Sequence, residues 1–404
     1  MKAPIRKGSF ADDDYEEVNA TYFGDILRER SWSALPAGWY NPHSRGADTF
    51  VPSAPRREEY EQYALDEGHA LGDRKAAVLH LLGAWEARSV GWNESTLCPS
   101  VSAANLLVLR ALRKARVDGI VFETPAYFAT VDQARLIGFK PRRVPSFRDE
   151  GFEAPPDRLT RGLGGLRRPA LWITQPRFGI GSNQSHERVR TLAALLGSEG
   201  ILIIDEAAEQ LFPSHLSELR GLGCDVIRIR GLVKGAGLNG LRISAILHPE
   251  AWRDQMERGL ETCGASIDRI SLANAADLAS DPKFFGEMLR QNNLQVREFR
   301  ALAALAARGS WVEPTALENS YIGSLLIDFR GLPGAYAHQR RALLEHCRSI
   351  GLPVVLRASI GFAHDQTWEG VRLNYFTPRE NVEAAARLLA EAELPVRRLL
   401  ASYR

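Results

Sequence analysis

The chain has 404 residues, 45% of them hydrophobic and 25% charged, an ordinary globular balance at a length beyond one core, so a large domain with a smaller companion is expected. Its formal net charge of +2, with arginines dispersed among acids, excludes the basic footprint of a nucleic-acid-binding protein. No apolar run approaches the ~18 residues of a membrane span, and the opening MKAPIRKGSFADDDYEE has no apolar leader core, so neither secretion nor membrane insertion is expected.

Residues 1–51 are polar and aromatic, broken by Pro36, Gly38, Pro42 and Gly46, and read as an arm leading into a loop. A helix is expected from about Ala76 to Ala87, where AAVLHLLGAWEA is apolar at helical spacing, and another over Ser102 to Lys114. GIVFE, Gly119 to Glu123, reads as a short buried strand, followed by Pro125-Ala126-Tyr127, a helix, and a short strand in PRRVP. The Gly/Pro-rich stretch from Glu150 to Pro169 reads as a surface loop with one turn of helix. ALWIT (170–174) and ILII (201–204) are continuously apolar, with a helix between them from Ser185 to Leu196. VIRIR (226–230) and LRISAIL (241–247) supply two more strands. Doubly apolar strands alternating with helices predict a mainly parallel sheet covered on both faces. A long helical stretch from Asp281 to Arg308 leads to a second unit. Its strands lie near Ser324 to Phe329 and Gly370 to Asn374, its helices at Tyr336 to Ser349 and Arg379 to Glu393. The expected division is an arm at 1–51 joining a small α+β domain at 291–404, with a large domain at 52–290.

Cys98, Cys224, Cys263 and Cys347 stand apart without CxxC spacing, and the nine histidines form no HxxxH or HxH pair. They predict reduced thiols in a cytoplasmic protein and no metal site. The chemistry instead falls beyond the carboxyl ends of the strands, where open α/β sheets bind ligands. Asp205 ends the strand ILII; Lys234 follows VIRIR within GLVKGAGLNGLR, whose glycines let the backbone approach something closely; Arg242 opens the next strand. An acid, a lysine and an arginine in this order suit one cofactor: the acid pairs with a pyridinium nitrogen, the lysine condenses with an aldehyde, the arginine clamps a phosphate. Each also has a plain structural reading, Lys234 as a solvated loop lysine, Asp205 as a helix cap and Arg242 as the partner of a surface acid.

With these residues in place, the sequence resembles the class I/II aminotransferases, the fold-type-I pyridoxal-phosphate enzymes, from about Gly46 to Ala390. Tyr63 with Gly68 resembles Y-x4-G, whose tyrosine reaches the phosphate of the neighbouring subunit; Tyr60 is its rival. Pro99 to Ser102 lies where the family cradles phosphate at a helix N-terminus, so Ser100, Val101 and Ser102 are candidates. Pro125-Ala126-Tyr127 resembles P-x-Y, whose ring stacks on the pyridine. Asp205-Glu206 matches the DE pair, and Lys234 with Arg242 matches K-x7-R. Arg372, in GVRLNY, falls at the arginine that binds the substrate α-carboxylate, with Arg357 and Arg379 nearby. Trp39, Tyr40 and Asn41 lie where side-chain contacts occur in the family, and structural roles are expected for them.

The resemblance implies the fold-type-I architecture, a homodimer, pyridoxal 5'-phosphate on Lys234 and an amino-acid substrate, with transamination as the default activity and Lys234 moving the α-proton. Two departures qualify it. The family's second asparagine and its tyrosine, both donors to the cofactor's phenolic oxygen, are Phe178 and Ala208 here, and two phosphate-binding serines are Gly231 and Val233. Gln175, Arg177 and Asn239 are the nearest replacements in sequence. A specialised enzyme of the same fold (elimination, cyclisation, decarboxylation or oxygen-using amino-acid oxidation) is therefore the alternative. A non-catalytic cofactor-binding module is a third reading, against which stands the lack of an N-terminal helix-turn-helix.

Overall fold

The computed structural model describes residues 44–51, 69–219, 221–260, 262–315, 318–352, 354–356 and 367–403. The chain runs through α1 (His69–Trp85), β1 (Ser95–Cys98), α2 (Val101–Lys114), β2 (Gly119–Thr124), α3 (Phe128–Leu136), β3 (Arg142–Pro145) and α4 (Pro156–Leu163). It continues through β4 (Pro169–Thr174), α5 (His186–Leu196), β5 (Ile201–Glu206), β6 (Asp225–Arg230), β7 (Ser244–Leu247), α6 (Arg253–Leu260), α7 (Arg269–Ala279) and α8 (Pro282–Ala306). The smaller unit adds β8 (Val312–Pro314), β9 (Ile322–Asp328), α9 (Tyr336–Ser349), β10 (Trp368–Asn374), α10 (Arg379–Glu391) and α11 (Glu393–Ser402).

The large sheet has the order β1-β7-β6-β5-β4-β2-β3, with β7 antiparallel to both neighbours and the other pairs parallel. Side chains alternate across it, as a pleated strand requires. Ile120, Phe122, Trp172, Ile203, Ile227 and Ile229 pack on α2 residues such as Leu107 and Leu112. Val121, Leu171, Ile173, Leu202 and Ile204 face α4 and α5 through Leu159, Leu163, Val189 and Leu192. The smaller sheet, β10-β9-β8, is antiparallel and packs Leu325, Ile327, Val371 and Leu373 against Leu343 and Leu389. Helix α8 changes partners along its length: Phe285, Met288 and Leu289 belong to a cluster with α1 and α7, whereas Val296, Phe299 and Ala303 join the small-unit core. Among the described residues no helix is long and apolar enough to cross a membrane, and no group of three or more His, Cys, Asp or Glu is arranged to hold a metal.

Two local expectations are corrected. The 150–169 stretch holds an eight-residue helix, α4, not one turn: Pro156 starts it, where its missing N–H costs nothing, and Leu159 and Leu163, one turn apart, are both buried. Strand β7 begins at Ser244, not Leu241. Residues 239–241 form a 3-10 turn and Arg242 adopts the left-handed conformation (φ 52°, ψ 54°), so it precedes the strand instead of opening it.

The register sets Asp205 opposite Thr174 and Ile229 at the carboxyl edge. Its neighbour Glu206 faces the other side, where Glu86, Glu206 and Glu209 are buried with Arg228 and Arg230. Arg230 also lies 4.7 Å from the Trp85 ring centroid. A buried charge deprived of its partner is strongly destabilising, typically by about 3–5 kcal/mol. Arg230→Met should therefore lower the unfolding free energy by about that much, read as a fall in the urea midpoint, and Glu209→Gln in the same chain should recover part of it.

Candidate active site

A cavity of about 330 Å³ opens at the carboxyl edge of the sheet. Several of the connections there contribute: Ser100, Val101 and Ser102 after β1, Tyr127 after β2, Phe178 after β4, Asp205 and Ala208 at the end of β5. Lys234, Asn239 and Arg242 come from the β6–β7 connection, and Tyr321 and Ile322 reach in from the small unit. A larger, more open depression of about 710 Å³ lies at the opposite edge. Its ionisable groups are already engaged, Arg88 with Glu94 at 2.5 Å and His248 with Thr96 at 3.0 Å.

Seven of the nine residues singled out from the sequence, Ser100, Val101, Ser102, Tyr127, Asp205, Lys234 and Arg242, line this one cavity. The β1–α2 turn has donors that suit an anion. Ser100 caps α2, its Oγ accepting from the Ala103 N–H at 3.1 Å, and the helix start leaves further first-turn N–H groups without intrahelical acceptors. The glycines around Lys234 also find their reason. A Cβ on Gly231 would sit 2.3 Å from the Ala207 carbonyl oxygen, and one on Gly235 2.4 Å from that of Glu209. What the loop approaches closely is thus the backbone following β5, which presses Lys234 and Asp205 into one space.

The electrostatics follow from that juxtaposition. Asp205 is 5% exposed. Burial raises its pKa, against the charge of Lys234, the Ala207 N–H donated to Oδ1 at 3.1 Å, and a hydrogen bond with the Asn105 side chain. Lys234 is pushed below the ordinary lysine range by burial and by the charge of Arg242, with Asp205 opposing. Burial raises the Tyr127 phenol; the nearby charge of Arg372 lowers it and that of Asp205 raises it. The Tyr127 ring lies 5.0 Å from Phe128 and 5.5 Å from Phe178, centroid to centroid.

Arg372 does not line the cavity. It is 1% exposed on β10, paired in register with Ser324, close enough for its charge to act on Tyr127. Tyr63 lies outside the described residues, as do Tyr60, Gly68, Trp39, Tyr40, Asn41 and Arg357. Of the three replacements considered for the missing donors, two are committed elsewhere. Gln175 donates to Asn183 at 2.8 Å and accepts from the Gln184 N–H at 2.7 Å. Arg177 binds Glu153, Ser182, Asn183 and Gln184. Asn239 lines the cavity, and its Oδ1 is buried without a partner among the described residues. Sequence reasoning missed Asn105 and Thr130, buried behind Asp205, as well as Tyr321, which stacks on Phe376 at 4.7 Å. Asn105 had a signal, since it is the polar residue on the buried, otherwise apolar face of α2.

Residues 72–312 match the family model described as aminotransferase class I and II. A histidinol-phosphate aminotransferase of Halorubrum lacusprofundi is 28% identical over 260 residues, so the chain spans 62% of that relative's length, with 62% of itself matched. Among solved structures, an aspartate aminotransferase from Thermus thermophilus with maleate aligns over 97% of this chain and 100% of its own, at TM-score 0.71 and 16% identity. An aromatic aminotransferase from Pyrococcus horikoshii aligns over 86% and 95%, at TM-score 0.66 and 18% identity. At such identities the likeness to the solved structures is one of fold.

The charges around Lys234 predict opposite effects from its two neighbours. Arg242→Met should raise the Lys234 pKa and Asp205→Asn should lower it further. Competitive acylation of cofactor-free protein across pH, with Lys234 quantified by mass spectrometry, reads both midpoints.

Proposed function

Because the chain belongs to the aminotransferase class I and II family, we propose that it is a pyridoxal-phosphate enzyme acting on the α-amino group of an amino acid, as an aminotransferase. The observation that carries this is the convergence of Asp205, Lys234, Arg242 and the N-terminus of α2 on one cavity. The donor set fits the cofactor. Arg242 and the first-turn N–H groups around Ser100, Val101 and Ser102 suit a dianionic phosphate, Asp205 a pyridine nitrogen, Lys234 an aldehyde and Tyr127 the ring face. The Oδ1 of Asn239, unpartnered among the described residues, is a buried acceptor that a ligand donor would satisfy. When bound, pyridoxal phosphate supplies that aldehyde and a ring that draws off the electron pair left at the α-carbon.

Lys234 does the proton work. Burial and Arg242 favour its neutral amine, which at Nζ takes the α-proton and returns it. Asp205, as a carboxylate facing the ring nitrogen, holds a proton there. Arg372, buried off the cavity wall but close enough for its charge to act on Tyr127, is assigned to the substrate carboxylate on the family resemblance. Tyr63 is assigned to the phosphate of a neighbouring subunit on the family resemblance, which makes the assembly a homodimer. The cytoplasmic assignment rests on the cysteine spacing. A domain boundary near 290 is favoured by the change of partners along α8.

One observation favours a second reading, the specialised enzyme. Phe178 and Ala208 both line the cavity, while Gln175 and Arg177 are committed elsewhere. With aminotransferase activity, a keto acid forms only when a keto-acid acceptor is supplied. Ammonia released without an acceptor would replace that activity by elimination or oxidation.

The cofactor assignment predicts a visible absorption band in the loaded protein that borohydride bleaches, leaving the label on Lys234 in a peptide digest. Lys234→Ala should abolish the fixed label and lower turnover by about 10²–10⁴-fold or more. A protein that stays colourless with added pyridoxal phosphate would remove the cofactor and the activity together.

A further inference from the structure

We propose that Asn292 is a positioning residue for Lys234: its one buried amide fastens the Lys234 loop to residues 44–47, so that loading the site and docking that segment strengthen each other. The consequence for loading rests on the cofactor reading; the geometry does not. Asn292 is 0% exposed, on α8 where that helix passes from the large unit to the small one. A polar amide buried there costs stability unless it is bonded. Its Nδ2 donates to the Gly235 carbonyl oxygen at 3.0 Å, and its Oδ1 accepts from the Gly46 N–H at 2.7 Å and the Ser44 hydroxyl at 2.8 Å.

The orientation of this amide follows from its partners. A backbone N–H only donates and a carbonyl only accepts, so Gly46 holds the Asn292 oxygen and Gly235 holds its nitrogen. Turning the amide over would set donor against donor and acceptor against acceptor. A leucine of similar shape supplies neither half, and an ionised aspartate only the acceptors.

Glycines let the joined segments press together. A Cβ on Gly237, whose φ is 79°, would sit 2.2 Å from Ser44 Oγ, and one on Gly46 2.5 Å from the Met288 carbonyl oxygen. Within the Lys234 loop the Gly237 N–H donates to the Lys234 carbonyl at 3.0 Å and the Leu238 N–H to that of Val233 at 2.9 Å, which closes a turn. The next carbonyls are held from outside that turn. Gly235 accepts from Asn292 and, at 3.3 Å, from Gln210 Nε2, and the Ala236 oxygen lies 3.2 Å from the Ser44 hydroxyl. The backbone carrying Lys234 is thereby fixed from α8 and from residues 44–47, while Lys234 itself lines the cavity. Binding that steadies one end of such a linked set strengthens the other by the same free energy.

The test is Asn292→Leu, with Ser44→Ala as the milder second variant. The first readout is hydrogen exchange in the cofactor-free whole chain. Both variants should speed exchange at Gly46 and at Gly237 and Leu238, while the amides of β5 keep the wild-type rate. The second readout adds pyridoxal phosphate, which should slow exchange across 44–47 in wild type but not in Asn292→Leu. By fluorescence titration each variant should bind it about three- to tenfold more weakly, the worth of one hydrogen bond. Unchanged exchange at Gly237 and Leu238 in both folded variants would overturn the proposal. So would exchange that rises equally in β5, the mark of general loosening, or a segment 44–47 that exchanges alike in loaded and empty wild type. If Asn292→Leu does not fold, Ser44→Ala decides. A wild type that binds no pyridoxal phosphate would overturn the cofactor reading, leaving exchange in the cofactor-free chain to decide the role of Asn292.

Discussion

Asp205 and Glu206 are consecutive acids at the end of a strand buried on both faces, and the pleat sends them to opposite sides of the sheet. Both are buried, so each needs its own compensation. On one side lie Arg228 and Arg230, which oppose burial at Glu206, whose pKa is still pushed up to about 7. At Glu86 burial raises the pKa, but the same two arginines win and hold it low. On the other side lies Lys234. In the arginine–glutamate cluster three carboxylates share two guanidiniums, and Arg228 and Arg230 each hold more than one of them. The Asp205–Lys234 side is different, because Lys234 carries a second, repelling neighbour in Arg242, and an amine pulled both ways is a responsive one.

That asymmetry organises the surrounding chain. The loop bearing Lys234 can lie on the backbone after β5 only because Gly231 and Gly235 lack side chains. Arg242 is itself left-handed, two residues before β7, so its place is set by backbone conformation that the neighbouring sheet holds. Such conformations cost energy outside glycine and persist where surrounding structure over-determines them. The turn at the start of α2, by contrast, needs no special conformation. It is the ordinary start of a capped helix aimed at the sheet edge.

The legible parts of this site were those written in local pattern. Asp205 could be placed because an apolar strand points a terminal acid at the carboxyl edge, and Lys234 because its glycines advertise a close approach. Tyr127 and Ser100 sit at helix starts, which composition marks. What was illegible depends on contacts between distant segments. Asn105 meets Thr130 only after α2 and α3 pack together, and the burial of Arg372 away from the cavity wall follows from β9–β10 pairing. The α4 helix was hidden because Gly162, Gly164 and Gly165 dilute a segment whose two leucines are enough to anchor it. Arg177 looked available in sequence, yet Glu153, far away in no motif, claims it.

Phe178 and Ala208 are the two positions where the resemblance calls for polar donors, and their surroundings show what stands in place of those donors. Phe178 packs beside Tyr127 and against an apolar cluster of Phe152, Ile180, Leu326 and Trp368, two of which belong to β9 and β10. Ala208 packs against the core of the small unit. Both residues therefore belong to apolar contacts between the cavity wall and the smaller unit. A side chain that would otherwise bind a polar ligand atom instead couples the two units across the site. Restoring a donor at either position would put a polar group into that seam, where it gains a ligand contact only by giving up apolar packing. The apolar character of this part of the wall and part of the joining of the two units thus rest on the same two side chains.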